Sequence, residues 1–148
     1  EENYQGEYML VTKDRKGNVL DEHNLNHKSE NSAEHIFGTR TNFSGPFDIV
    51  QTDYNGDGCP DFTIGVEVSS SMSFFVLYTV DEKGRIKSIC EDAIPSLEKE
   101  HSILLEQREA DGALISYGFD NWIGESRKMV YQWDAGKNIY TESKSQYL

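Results

Sequence analysis

Oxygen-bearing side chains recur at alternate positions in one short segment of the sequence, residues 53–61. They occupy loop positions 1, 3, 5 and 9, as Asp53, Asn55, Asp57 and Asp61. A Ca²⁺ ion takes about six to eight oxygen ligands at about 2.3–2.6 Å, so a short loop must wrap around it with alternate residues facing inward. Gly58 at position 6 permits the sharp bend, and the backbone carbonyl of Cys59 at position 7 would add a ligand. The spacing therefore predicts a calcium site, with Ca²⁺ as the cofactor.

A plain polar turn is the alternative explanation for this segment, because Asn-Gly and Asp-Gly pairs favour tight hairpins on dihedral grounds. A turn needs only about two of these residues, however. It also gains nothing from acids at both ends of the loop, Asp53 and Asp61, where like charges repel each other. We therefore favour Ca²⁺ over a plain turn, and a structural ion over a catalytic one.

The residues around the loop distinguish it from an EF-hand. Position 12 is Ile64 rather than a bidentate Glu, and the flanking segments are predicted strands, not helices. The segment 43–65, from Phe-Ser-Gly-Pro through the loop to an apolar strand and Gly65, instead resembles the calcium loops of FG-GAP (VCBS-like) repeats. Such repeats occur in the integrin α-chain propeller and in bacterial surface proteins, and here the motif occurs once. The resemblance implies a hairpin loop that holds Ca²⁺ through Asp and Asn side chains, an extracellular or cell-surface location, and binding rather than catalysis.

The charge balance limits the partners. The chain has 148 residues, with 26 Asp and Glu against 14 Lys and Arg, and a formal net charge of −12. We expect no nucleic-acid partner, because phosphate binding needs clustered Lys and Arg. No apolar stretch approaches the roughly 20 residues that span a bilayer, so no transmembrane segment is predicted. The first residue, Glu1, is not Met, which suggests that an export signal or lipid anchor was removed.

A hydrophobic period of two dominates the chain. Residues 61–68 alternate apolar and polar side chains, as in a half-buried strand, and residues 73–80 are apolar on both faces, as in a central strand. Further strands are predicted at 47–52, 85–90, 103–109, 113–119, 127–134 and 139–143. The pattern predicts an all-β fold of about nine to eleven antiparallel strands, arranged as hairpins in a β-sandwich or a partial propeller-like stack.

Little helix is expected. Ser32 is a candidate cap for a short helix that ends at Phe37, with Gly38 behind it. Pro95 is a candidate start for a single helical turn. Residues 21–46 are polar and lack periodicity, so most of this segment is predicted as a long loop.

The length favours one all-β domain over residues 1–148, with two possible sheet units at about 1–68 and 69–148. A weak internal sequence similarity is relevant to the possible division into two units. Residues 11–17 and 78–84 share Thr, Asp, Lys and Gly at an offset of 67. Either two hairpins use the same turn chemistry or the chain repeats a sheet-sized unit.

Histidines and cysteines offer weaker signals. If their segment were helical, His23 and His27 would lie on one face at a spacing that can bind Zn²⁺, and His35 is nearby. The segment lacks apolar periodicity, which favours a solvated loop instead. Cys59 and Cys90 are predicted to be free thiols. The expected strand register separates them by about seven residues, or ~23 Å at strand rise, whereas a disulfide needs Cα atoms within ~7 Å.

Aromatic residues cluster in the last third of the chain, among them Tyr117, Trp122, Tyr131, Trp133 and Tyr140. They could form a platform that stacks on a sugar or contacts a protein. We favour ordinary sheet core instead, because Tyr131 and Trp133 share one face of a predicted strand. Residues 120–122 are expected to be exposed.

These observations favour a non-catalytic, Ca²⁺-stabilised extracellular or cell-surface domain that binds a protein or glycan partner. One alternative is an enzyme accessory domain, or a small hydrolase that uses acidic residues, with a structural Ca²⁺. Another is an intracellular β domain without metal. No nucleophile elbow, phosphate loop or Cys/His pairing is visible in the sequence.

Overall fold

The computed structural model describes residues 3–148, and the elements in that range are thirteen β-strands and one 3-10 helix, Ala33–Phe37. The strands are β1 (Tyr4–Gly6), β2 (Met9–Lys13), β3 (Val19–Asn24), β4 (Thr41–Phe43), β5 (Gln51–Thr52), β6 (Asp61–Ser69), β7 (Met72–Val80), β8 (Ile86–Ser88), β9 (Ile94–Ser96), β10 (Glu106–Gln107), β11 (Leu114–Asp120), β12 (Glu125–Asp134) and β13 (Ile139–Tyr147). All the pairings between these strands are antiparallel. The prediction of an all-β fold is confirmed, with more strands than the sequence indicated.

The long hairpin of β6 and β7 forms the centre of the largest sheet. Its ladder runs from the pair Asp61–Thr79 to the pair Ser69–Met72, with β5 beyond β6 and with β8 and β9 beyond β7. Four consecutive residues of β7, Phe75 to Tyr78, have no solvent exposure. A strand apolar on both faces is stable only when both faces are covered, so this burial explains the sequence of β7.

A second sheet contains β10, β11, β12 and β13 in that order. It joins the first sheet through main-chain hydrogen bonds, because the Tyr140 amide donates to the Ile89 carbonyl and the Glu91 amide donates to the Tyr140 carbonyl. The Ser116 hydroxyl also donates to the Pro95 carbonyl, which ties β11 to β9. Buried apolar side chains from both sheets form one hydrophobic cluster.

Residues 21–46 are structured, so the prediction of a long loop there was wrong. The segment contains the end of β3, the 3-10 helix and β4. The buried side chain of Asn26 organises it: its Nδ2 donates to the Phe37 and Gly38 carbonyls and to the Thr41 hydroxyl, and its Oδ1 accepts from the Tyr8 amide. Polar hydrogen bonds of this kind leave no hydrophobic periodicity in the sequence.

The two predicted helical turns had different outcomes. The first forms as a 3-10 helix, capped by Ser32, whose hydroxyl oxygen accepts from the Glu34 amide, and ended by Gly38. The second was wrong, because Pro95 lies in β9 opposite Phe74. Proline is tolerated in a short strand at a sheet edge, where its missing N–H breaks no ladder.

The internal sequence similarity arises because the β2–β3 and β7–β8 hairpins have the same kind of turn. Asp14 follows β2 and Asp81 follows β7, and in each case the carboxylate Oδ1 accepts from the amides two and four residues further on. Gly17 and Gly84 hold φ angles of +88° and +83°, in the left-handed region that glycine adopts most readily. Shared hairpin chemistry therefore accounts for the similarity.

Gly65, in the middle of β6, lies against the fully buried ring of Phe75. A Cβ at this position would overlap that ring, and the ring has no solvent exposure, so it cannot swing out to relieve the overlap. The outer edge of β6 is also covered here, because the Gly65 amide donates to the His101 carbonyl.

Gly65→Ala is therefore expected to destabilise the fold by about 1–3 kcal/mol through overpacking. Gly45→Ala is the matched control, because a Cβ there would meet nothing within 4 Å. Urea unfolding of both variants measures the difference. Equal stability of the two variants would contradict the close packing of Gly65 on Phe75.

A buried polar cluster joins β3, the 3-10 helix and β7. Glu34 is 6% exposed, and its Oε2 accepts from the Tyr78 hydroxyl at 2.7 Å and lies 2.6 Å from Nε2 of His23. Burial raises the pKa of Glu34, but the hydrogen bonds from His23 and Tyr78, with the charges of His23 and Lys28, outweigh it. The net pKa lies below the ordinary value of 4.5.

A carboxyl group with a lowered pKa in the folded state stabilises the fold above its unfolded pKa, and this contribution is lost as the pH falls through the folded value. Glu34→Gln should thus lower the free energy of unfolding at pH 7, by on the order of 1–3 kcal/mol. The stability lost between about pH 5 and pH 3 should be smaller in this variant than in the wild type. The exposed Glu30→Gln is the control for urea unfolding at each pH, and identical pH profiles for the two variants would refute the role of Glu34.

Candidate metal centre

Residues 53–61, which we call the metal loop, connect β5 to β6 as a hairpin loop between antiparallel strands. Thr52 pairs with Asp61 across its base, so the first and last acidic residues of the loop stand at adjoining ends of the two strands. The sequence predicted this strand–loop–strand placement.

Three of the predicted ligands bend the loop through hydrogen bonds to its own backbone. The carboxylate of Asp53 accepts from the Gly56 amide at 2.9 Å and the Gly58 amide at 2.8 Å. Asn55 Oδ1 accepts from the Asp57 amide, and Asp57 Oδ1 accepts from the Cys59 amide. A carboxylate offers about four lone-pair sites, so Asp53 retains acceptor capacity after both bonds.

Asp61, the fourth predicted side-chain ligand, has no solvent exposure. Its Oδ2 accepts from the Tyr54 amide at 2.8 Å, whereas its buried Oδ1 has no hydrogen-bond partner. A buried carboxylate oxygen without a partner is costly, and a coordinated cation is one way to satisfy it. This atom is the observation in the structure that fits a metal ion.

Negative charge is concentrated in the metal loop, which contains three aspartates. Burial raises the pKa of Asp61, and the charges of Asp57 and Asp53 raise it further, whereas the nearby Thr79 hydroxyl and the hydrogen bond from the Tyr54 amide lower it. Partial burial and then the charge of Asp57 raise the pKa of the Cys59 thiol. A cation bound among these carboxylates would reverse their mutual repulsion.

The arrangement is not a preassembled metal cluster. Within residues 3–148, no group of three or more His, Cys, Asp and Glu side chains has a geometry that could hold a metal ion. The predicted ligand set relies in part on other donors, namely the Asn55 side chain and the Cys59 carbonyl. As the loop stands, its carboxylates are turned towards backbone amides.

The predicted histidine group does not come together as one site. His23 lies on β3 and contacts Glu34, whereas His27 lies 2.8 Å from Glu7. The zinc alternative needed a helix that carries both His23 and His27, whereas His23 lies in β3 and His27 lies outside any helix. Cys59 and Cys90 are free thiols, as predicted.

The aromatic residues of the last third divide between core and surface. Tyr131 and Tyr140 are buried, and half-buried Trp133 packs on Tyr140 with ring centroids 5.1 Å apart, so the core interpretation is confirmed for these three. Trp122, at the tip of the β11–β12 hairpin, is 97% exposed, as expected for residues 120–122.

Tyr54 anchors the metal loop, a role that sequence reasoning missed. It is 6% exposed, its hydroxyl oxygen accepts from the Leu105 amide at 2.8 Å, and its carbonyl accepts from Nε2 of Gln107 at 2.6 Å. The only sequence signal was an aromatic residue at position 2 of a polar loop. Tyr54 thus ties the loop to the segment that enters the second sheet.

No family model, curated protein or solved structure matches this chain. None of the elements in residues 3–148 is a helix with the length and apolar character needed to cross a bilayer. The fold and the site together define an all-β chain whose central sheet carries an acidic hairpin loop.

Tyr54→Phe should destabilise the fold by about 1–3 kcal/mol, because it leaves the buried Leu105 amide without an acceptor. Tyr117→Phe, which alters an exposed hydroxyl in the second sheet, serves as the control. Thermal unfolding of both variants measures the difference. Wild-type stability of Tyr54→Phe would show that the loop is not anchored through this hydroxyl.

Proposed function

We propose that this chain is a non-catalytic, Ca²⁺-stabilised domain that acts outside the cytoplasm and binds a protein or glycan partner. The unpartnered, fully buried Oδ1 of Asp61 is the main support for the calcium part of the proposal. The resemblance of residues 43–65 to FG-GAP repeats supports the location and the binding role.

The side chains of Asp53, Asn55, Asp57 and Asp61 and the carbonyl of Cys59 would hold the ion. Hard oxygen donors of this kind are the ligands that Ca²⁺ prefers. Bound Ca²⁺ supplies positive charge that offsets three carboxylates in one short loop. The loop residues themselves fix the hairpin by accepting backbone amides, which is a structural rather than a catalytic role.

Calcium that binds the folded state alone would stabilise it by mass action. At a free concentration about one hundred times the dissociation constant, the gain is about 2.7 kcal/mol. A domain of this size has a total stability of roughly 5–15 kcal/mol, so the ion would contribute a large share of it.

The unfolding midpoint should therefore rise in millimolar CaCl₂ relative to excess chelator, and Asp57→Ala should abolish that rise. Asp48→Ala removes one acidic charge from the exposed β4–β5 connection and should retain the full rise. Thermal scans of the three proteins, with and without calcium, measure the effect. An unchanged midpoint in the wild type would remove the metal from the proposal, and an unchanged rise in Asp57→Ala would place the ion elsewhere.

Asp61→Asn distinguishes a calcium ligand from a merely strained carboxylate. Without calcium this variant should be at least as stable as the wild type, because it removes a buried charge close to Asp53 and Asp57. With calcium it should be less stable than the wild type, because a carboxylate ligand is lost. Calorimetric titration with CaCl₂ gives the accompanying loss of affinity directly.

A further inference from the structure

A cleft of ≈ 580 Å³ adjoins the metal loop. Three hairpin ends build it: the loop itself, the β7–β8 hairpin and the β12–β13 hairpin. Its lining residues include Asn55, Asp57, Lys87, Trp133, Lys137 and Asn138. The volume lies in the range of ordinary small-molecule sites.

The cleft combines one aromatic surface with several polar groups. The Trp133 ring packs on buried Tyr140 from the core and lines the cleft as well, so its position is fixed by packing. Polar residues also line the cleft, among them Asn138 in the β12–β13 turn and Ser88 at the end of β8. A rigid apolar ring surrounded by hydrogen-bonding groups suits a sugar, which presents C–H faces and a rim of hydroxyls.

The charged residues of the cleft indicate which class of sugar would bind. Two lysines, Lys87 and Lys137, line the cleft together with two acidic residues, Asp57 and Asp81, and the Asp81 carboxylate is already paired with Arg85 at 2.8 Å. Lys87 and Lys137 are both exposed, and the nearest acidic contact of Lys137, to Glu91, is a loose 3.5 Å pair. With Asp81 paired to Arg85 and the charge of Asp57 offset by calcium in the metal loop, the two ammonium groups would attract an anion, and a carboxylate oxygen is a ligand that Ca²⁺ accepts.

We infer that the cleft between the metal loop and Trp133 binds an acidic sugar chain of the uronic acid class. The apolar ring would stack on a pyranose face, the two lysines would pair with uronate carboxylates, and the polar turn residues would bind hydroxyls. This inference rests on the proposed function, because calcium in the metal loop offsets the charge of Asp57 at the edge of the cleft.

Trigalacturonate is a suitable probe, with neutral galactotriose as the matched ligand. Calorimetry in millimolar CaCl₂, corrected for calcium binding by the sugar itself, should give a dissociation constant for trigalacturonate at least tenfold lower than that for galactotriose. Lys87→Ala combined with Lys137→Ala should remove this preference, and Trp133→Ala should weaken both ligands at least tenfold. Trp122→Ala, which alters the other tryptophan, should bind like the wild type.

Fluorescence gives a second readout. In a Trp122→Phe background Trp133 is the remaining tryptophan, so its emission should shift when trigalacturonate binds. Trp133→Ala could lose binding simply because the fold is disturbed, since Trp133 packs on Tyr140. The double lysine variant does not have this problem, because Lys87 and Lys137 are exposed and outside the core.

The possible failures can be told apart. If calcium raises the midpoint but trigalacturonate does not bind, the inference is overturned and the proposed function stands. If calcium has no effect yet trigalacturonate binding depends on Trp133 and the lysines, the calcium proposal falls and the cleft remains a sugar site. Binding that is equally strong for galactotriose, or that Trp122→Ala weakens as much as Trp133→Ala, refutes the uronate cleft.

Discussion

A carboxylate without solvent exposure stands where the central sheet begins. Asp61 is the first residue of β6, it pairs with Thr52 on one side and Thr79 on the other, and its Oδ2 receives the Tyr54 amide. The metal loop, the edge strand β5 and the buried strand β7 all meet at this residue. The charge state and the partner of this one side chain therefore affect the loop and the sheet together.

The two large sheets position the loop and the cleft through a few non-local contacts. Tyr54 reaches Leu105 and Gln107 on the way into the second sheet, and Tyr140 exchanges main-chain hydrogen bonds with residues 89–91 after β8. These contacts hold the ends of three hairpins at one side of the molecule. The cleft is a consequence of that arrangement, since each hairpin contributes a turn and the core contributes the Trp133 ring.

Local sequence pattern predicted the elements that bury a regular face and missed those defined by distant partners. β7 was evident because a run of residues apolar on both faces follows directly from burial. The alternation of β6 identified it as a strand, but the prediction that one face would be exposed was wrong, because Asp61 and Thr63 on that face are fully buried. β1 and β4 are three-residue strands that form because they pair with each other, and their paired residues, from Tyr4–Phe43 to Gly6–Thr41, are far apart in the sequence. Such pairing leaves no period in either segment. Asn26 likewise organises its surroundings through side-chain hydrogen bonds. In the sequence it is simply one more polar residue, so these bonds could not be predicted.

The candidate site also has features that local sequence predicts and features that depend on distant residues. Spacing alone placed the metal loop on a hairpin, because alternate donors and a bend-permitting glycine are local properties. The burial of Asp61 and the anchoring of Tyr54 depend on β7 and on residues more than fifty positions away, so neither could be inferred from the loop. Carboxylates packed this closely repel one another in the absence of a cation, and the same repulsion would be the source of affinity when a cation binds. If the proposed cation binds, stability and binding would be coupled through one set of charges, and that coupling would explain the presence of three aspartates in one short loop.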